Sequence, residues 1–301
     1  MTTRIDTFKK RIQSGELLLS DGAWGTQMQK LGLQLGDCPE EWNVTRADTI
    51  KEIAREYFKC GIDLCLTNTF GGNRYRLVRH GFADQMREFN RAGAALSRQV
   101  ADEFKGIVAA SVGPTGEYIE PEGMLSKKEM YDAYFEQIAA LKEGGADAIC
   151  VETMYVLDEA LVAIEAAKAH GMFCMACMTF DSTPEGYKTM LGTTVEEATR
   201  ALDSSSAEII GTNCGNGISD MVKIARQMRA FTKKPLMVKS NAGLPEMVDG
   251  KAIYHETPAM MAASIADLKQ LGTAIIGGCC GTTPNHIRTF RAEIDRLSKK
   301  G

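Results

Sequence analysis

GGADAICVETM (residues 144–154) decides the fold, because its construction returns as CGIDLCLTNTF at 60–70 and LGTAIIGGCCG at 271–281. Each stretch leaves a helix through a glycine that accepts a left-handed backbone. Each then enters a short apolar strand and ends in polar or glycine-rich residues. Working outward, strand-like runs fall at 17–20, 62–67, 107–112, 148–152, 173–179, 209–213, 236–239 and 274–277. They are rich in Ile, Val, Leu and Cys and alternate little, as parallel strands covered on both faces do. Amphipathic helical patterns lie between them at 48–59, 83–104, 126–143, 157–169, 194–203, 219–231, 257–271 and 284–297. Pro284 suits a first helical turn, where its missing N–H would go unpaired anyway. Eight strand–helix units in strict alternation predict an α/β chain folded as a single (β/α)8 TIM barrel over 1–301. An open doubly wound sheet predicts a GxGxxG turn after the first strand, and DGAWGT at 21–26 stands there instead.

The chain has 301 residues, 44% of them hydrophobic and 25% charged, ordinary values for a globular protein. A net charge of -4 gives no reason to expect nucleic acid or an anionic membrane as partner. No apolar run reaches the ~20 residues that span a bilayer. The opening MTTRIDTFKKRIQSGE lacks the apolar core and cleavage site of a signal peptide, so a cytoplasmic location is expected. There, nine cysteines are not a disulfide framework. Cys60, Cys65, Cys150, Cys174 and Cys177 lie in or beside apolar runs and read as small buried hydrophobes, while Cys38 lies in a loop and has no clear reading. Composition sets no oligomeric state.

Barrel active sites gather on the loops that follow the strands. In this chain those positions hold Asp21, Gly22, Ala23, Trp24, Gly25 and Thr26 after the first strand, Glu152 after the fourth, Asn213 and Cys214 after the sixth, Asn241 after the seventh, and Cys279 and Cys280 after the eighth. In a closed barrel the eighth strand returns beside the first, and the sixth stands two places away. Cys214, Cys279 and Cys280 can therefore converge at one mouth, with flanking glycines freeing the backbone. Spacing leaves three readings open. The thiolates hold zinc with a fourth position free; the cysteines are inert; or the Gly-rich last loop cradles a phosphate. None of the four histidines stands at a strand end, which argues against a histidine-rich metal site. Lys239 is the one lysine at a strand end, and nothing in the sequence partners it.

Zinc with three thiolates carries a formal negative charge and activates water poorly. It suits a fourth sulfur: coordination deprotonates a thiol whose free pKa is about 8.5, and the sulfur stays nucleophilic. The expected reaction is attack of that thiolate on an activated methyl group. An amino-acid thiol also brings an ammonium, for which Glu152 and Asp21 are candidates. Its carboxylate would meet the backbone N–H groups of the Gly22–Gly25 turn.

DGAWGTQMQ, TNTFGGNR, GPTGE, ETMYVLDE, MTF, NCGNG, SNAG and GGCCGTTPNHI span nearly the whole chain, and with them it resembles the homocysteine S-methyltransferase family, most closely the homocysteine-binding barrel of the cobalamin-dependent methionine synthases. The resemblance implies one Zn2+ per chain on Cys214, Cys279 and Cys280, with homocysteine sulfur completing the site. It also implies Asp21, Glu152 and Asn241 as pocket residues. Those synthases continue into further modules while this sequence stops at Gly301, so the donor is expected to be a separate small molecule or protein. TNTFGGNR favours a methylated corrinoid, perhaps carried by a partner protein, over betaine, other onium compounds or S-methylmethionine. Trp24, Trp42, Phe70 and Tyr75 are the aromatic side chains that an onium donor would meet. A zinc- or thiol-binding protein without turnover, and a phosphate-binding aldolase or isomerase, are the competing functions.

Overall fold

The computed structural model describes residues 3–248 and 251–299. Eight parallel strands form one ring: β1 (Leu18–Leu19), β2 (Leu64–Leu66), β3 (Ile107–Val112), β4 (Ala148–Met154), β5 (Phe173–Met178), β6 (Ile209–Asn213), β7 (Leu236–Ser240) and β8 (Thr273–Gly278). Neighbours in sequence are neighbours in space, β8 pairs with β1, and a parallel bridge from Ser20 to Leu64 joins β1 to β2. Helices on the outside include Ala47–Lys59, Met86–Phe104, Lys127–Glu143, Leu157–Ala169, Ile218–Arg229 and Pro284–Ser298. This is the expected TIM barrel.

The threefold sequence echo has a physical cause. Gly61, Gly145 and Gly272 end their helices at φ +85, +94 and +70, where any side chain is strained. Just beyond, Asp63 and Asp147 accept the N–H groups of Leu19 and Val108 on the preceding strands, and Glu208 does the same for Cys174. These carboxylates stitch β1 to β2, β3 to β4 and β5 to β6 at the end of the barrel opposite the loops.

Inside the ring, residues two apart share one face. Ile107 and Ala109, Ala148 and Cys150, Met175 and Cys177, and Met237 form the interior cluster, and Phe8 of the N-terminal helix Arg4–Gln13 closes its lower end against Phe173. The next inward positions on β3, β4 and β7 are Ser111, Glu152 and Lys239. The interior therefore turns polar where the loops begin.

Four features depart from the sequence reading. The helix expected over 257–271 is two short ones, Pro258–Ala262 and Ile265–Gln270, because the Ser264 N–H bonds back only three residues to Met261. The first turn of 83–104 is a tighter helix, Ala83–Gln85, before Met86–Phe104. Two antiparallel hairpins, 181–183 with 186–188 and 246–248 with 251–253, stand on the loops after β5 and β7. A short helix, Trp24–Lys30, follows the Asp21–Ala23 turn.

Candidate metal centre

Cys214, Cys279 and Cys280 meet at the mouth, with their three Sγ atoms within 4.8 Å of one another. Cys214 Sγ and Cys280 Sγ stand 3.9 Å apart, and all three thiols are free. Backbone geometry brings them there. Cys214 adopts φ +61 and Gly215 φ +71, so the chain leaves β6 through two successive left-handed residues. A Cβ on Gly215 would lie 2.7 Å from the Phe180 carbonyl oxygen. The Cys214 N–H still bonds to the Lys239 carbonyl of β7, and the Cys279 N–H to that of Ser240. After the cysteine pair, Gly281 turns at φ +80 beneath the Tyr254 ring, which a Cβ would meet at 2.2 Å. The Thr282 hydroxyl bonds to the Cys279 carbonyl and also takes the Ala23 N–H, tying the β8 loop to the β1 loop.

The three sulfurs fit zinc. Bonds of about 2.3 Å to a tetrahedral ion put sulfurs about 3.8 Å apart, against the 3.9 Å found for Cys214 and Cys280. Without a cation the cluster resists ionisation. For Cys214 a hydrogen bond with Cys279 favours the thiolate, but the bond to Cys280, burial and the Cys280 charge outweigh it and push the thiol up to about 12. A dication reverses that balance. Among the described residues, this is the only group of three Cys, His, Asp or Glu side chains close enough to share an ion.

A cavity of about 550 Å³ opens beside the sulfurs, lined by Gly22, Ala23, Trp24, Gly25, Thr26, Glu152, Cys214, Cys279 and Cys280 of the expected residues. Asp21, Asn213 and Asn241 lie outside its lining. Asp21 is fully buried. Its Oδ2 accepts from Trp24 Nε1 at 2.8 Å and Leu66 N at 2.7 Å, and its Oδ1 from the Ser20 hydroxyl at 3.0 Å. It fixes the Trp24 ring and the β1 loop.

Glu152 reaches the cavity through a β-bulge, where the β4–β5 register shifts between Val151 and Met154 and Thr153 adopts φ +59. Asn213 clamps the bulge. Its Oδ1 accepts the Thr153 N–H at 2.7 Å, while its Nδ2 donates to Thr153 Oγ1 at 2.7 Å and faces Cys279 Sγ at 3.9 Å. Asn241 is buried with no partner for Oδ1, one residue past the Ser240 carbonyl that bonds to Cys279.

Lys239 corrects the sequence reading, which found it no partner. Its Nζ lies 3.5 Å from Glu152 Oε2 and 3.6 Å from Asp21 Oδ1. Burial opposes the ammonium, but the charges of Glu152 and Asp21 outweigh it and hold its pKa up. Period two along β7 carries the signal, since Lys239 follows Met237 on the inward face. Ser111, which donates to Glu152 Oε1 at 2.5 Å, was missed for want of the same count on β3.

Three further readings meet the geometry here. The N–H groups of Gly278, Cys279, Gly281, Thr282 and Thr283 already have acceptors within the protein, which argues against a phosphate cradle in the last loop. Of the four aromatic side chains, Trp24 and Phe70 line the cavity; Trp42 is buried under Arg46, and Tyr75 lies outside the lining. Cys38, Cys60, Cys65, Cys150, Cys174 and Cys177 are all buried.

The family model described as homocysteine S-methyltransferase matches residues 18–294. The chain is 33% identical to methionine synthase from Mycobacterium leprae, over 99% of this chain and 25% of that protein. It is 33% identical to methionine synthase from Mycobacterium tuberculosis, over 98% of this chain and 26% of that protein. It thus spans about a quarter of the length of these relatives. The metallated form of the homocysteine methyltransferase MmuM from Escherichia coli shares the fold, with a TM-score of 0.77 at 22% identity over 92% of this chain and 96% of that one. No helix among the described residues is long and apolar enough to cross a membrane.

Proposed function

Since the chain belongs to the homocysteine S-methyltransferase family, we propose that it methylates the sulfur of homocysteine at the three-cysteine centre, giving methionine. The convergence of Cys214, Cys279 and Cys280 beside a cavity carries this reading. Cys214, Cys279 and Cys280 would hold a zinc ion, which would supply a position that lowers a bound thiol's pKa and keeps its sulfur nucleophilic. The chain's own side chains then fix the rest of the molecule. Glu152, aimed inward by its bulge, receives the substrate ammonium. The first turn of Trp24–Lys30 lines the cavity and has no side-chain cap, so its free N–H groups receive the carboxylate. Trp24, pinned to Asp21, forms a wall beside it.

A methylated corrinoid, carried free or by a partner protein, is the donor we favour. Likeness to two methionine synthases along nearly the whole chain supports it. So does the pair of aromatic rings, a thin cage for an onium ion. The test is a donor screen, with zinc-loaded protein and homocysteine offered methylcobalamin, betaine, dimethylsulfonium compounds or S-methylmethionine. Methionine from methylcobalamin alone supports the corrinoid, methionine from another donor replaces it, and zinc and homocysteine binding without methionine under any donor points to a thiol-binding protein instead.

A further inference from the structure

Lys239 is a cation at the cavity floor that the proposed chemistry leaves without a task. It is 2% exposed and lines the same cavity as the sulfurs. Room for it was made on the neighbouring strand: Gly277 is its register partner on β8, and a Cβ there would press on the Lys239 stem at 3.3 Å and on Ser20 at 2.8 Å. An ammonium so deeply buried is expensive unless paired, and two carboxylates flank it, Glu152 at 3.5 Å and Asp21 at 3.6 Å. They are not equivalent. Asp21 is sealed off and already takes hydrogen bonds from Ser20, Trp24 and Leu66. Glu152 faces the cavity and has Ser111 as its other hydrogen-bond partner. Two carboxylates and one ammonium leave a single uncompensated negative charge, which complements one incoming ammonium.

We infer that Lys239 is a positioning residue that balances Asp21 and leaves Glu152 as the one uncompensated anion of this buried cluster, so that the site selects thiols bearing an ammonium beside their carboxylate. The inference rests on the proposed homocysteine reading. Without Lys239 the two buried carboxylates repel, and the pair takes up a proton or swings apart, removing the anion that faces the substrate. Removing the Asp21 charge as well restores a single anion.

Calorimetric titration of the zinc-loaded full chain tests this with two ligands, homocysteine and its des-amino analogue. The wild type is expected to prefer homocysteine by about tenfold or more, the scale of a buried charge contact. Lys239→Met should abolish most of that preference while changing the analogue's affinity by less than about threefold, and Lys239→Met with Asp21→Asn should recover it. Lys239→Gln, which keeps a donor but no charge, should behave as Lys239→Met and covers the case in which the latter fails to fold. Zinc affinity, from competition with a chromophoric chelator, should stay within about threefold throughout. Equal weakening of both ligands, a double variant worse than the single one, or a Lys239→Gln protein that keeps its preference overturns the inference. A wild type that binds zinc but does not prefer homocysteine overturns the substrate reading instead.

Discussion

Cys150 and Cys177 point into the barrel from adjacent strands, while Cys214, Cys279 and Cys280 stand about one layer higher, where the strands give way to loops. The residue type is the same and the chemistry differs. Burial drives the lower thiols well above their ordinary pKa, and the side chains around them are mostly apolar, so they act as small hydrophobes. At the mouth, left-handed backbone at Cys214 and glycines around all three residues turn side chains toward one point. Height along the strand and freedom of the backbone, rather than cysteine itself, separate packing from ligation.

The sharpest way to break this contrast is Cys279→Ala. It should reduce zinc from one per chain to near none and methionine formation by at least about a hundredfold, read by metal analysis and product assay. Retained zinc and activity would place the metal elsewhere.

Gly215→Ala tests the backbone half of the argument. With φ +71 and the Phe180 oxygen 2.7 Å from the new Cβ, it should lose roughly 1–3 kcal/mol of stability in denaturant unfolding. It should also weaken zinc, leaving Cys214 present but misplaced.

pH should move the metal-free and metal-loaded proteins in opposite directions. The thiols of Cys214 and Cys280 rise from 9.0 to about 12 on folding. Their contribution to the metal-free fold is thus complete below pH 9 and lost as pH climbs toward 12, because the unfolded chain releases those protons first. Zinc binding needs the thiolates, so its affinity should strengthen as pH rises. Melting temperatures with and without zinc across that range check both signs.

The smallest effect belongs to the lower layer. Cys177→Ala should cost about 1–2 kcal/mol of stability and leave zinc content unchanged.

Strand number, order and the mouth cysteines were legible because they follow from local pattern: helix-closing glycines, short apolar runs, and chemistry at strand ends. What stayed hidden depends on partners distant in sequence. Asp21 looked available until Trp24 and Leu66 took its oxygens. Lys239 looked unpartnered because Asp21 and Glu152 come from strands it meets only across the barrel. The bonds of the Asn213 amide to the Thr153 bulge were not foreseen, because a bulge is a backbone feature that periodicity does not encode. The hairpin at 181–188 did leave a mark, Pro184 and Glu185 ahead of Gly186, as turn-forming residues between short strand formers.

X-ray absorption at the zinc edge tests the central claim most directly. The account predicts a shell dominated by three sulfurs at about 2.3 Å, rising to four when homocysteine is added. A shell of mainly nitrogen and oxygen, or a sulfur count that homocysteine leaves unchanged, would contradict it.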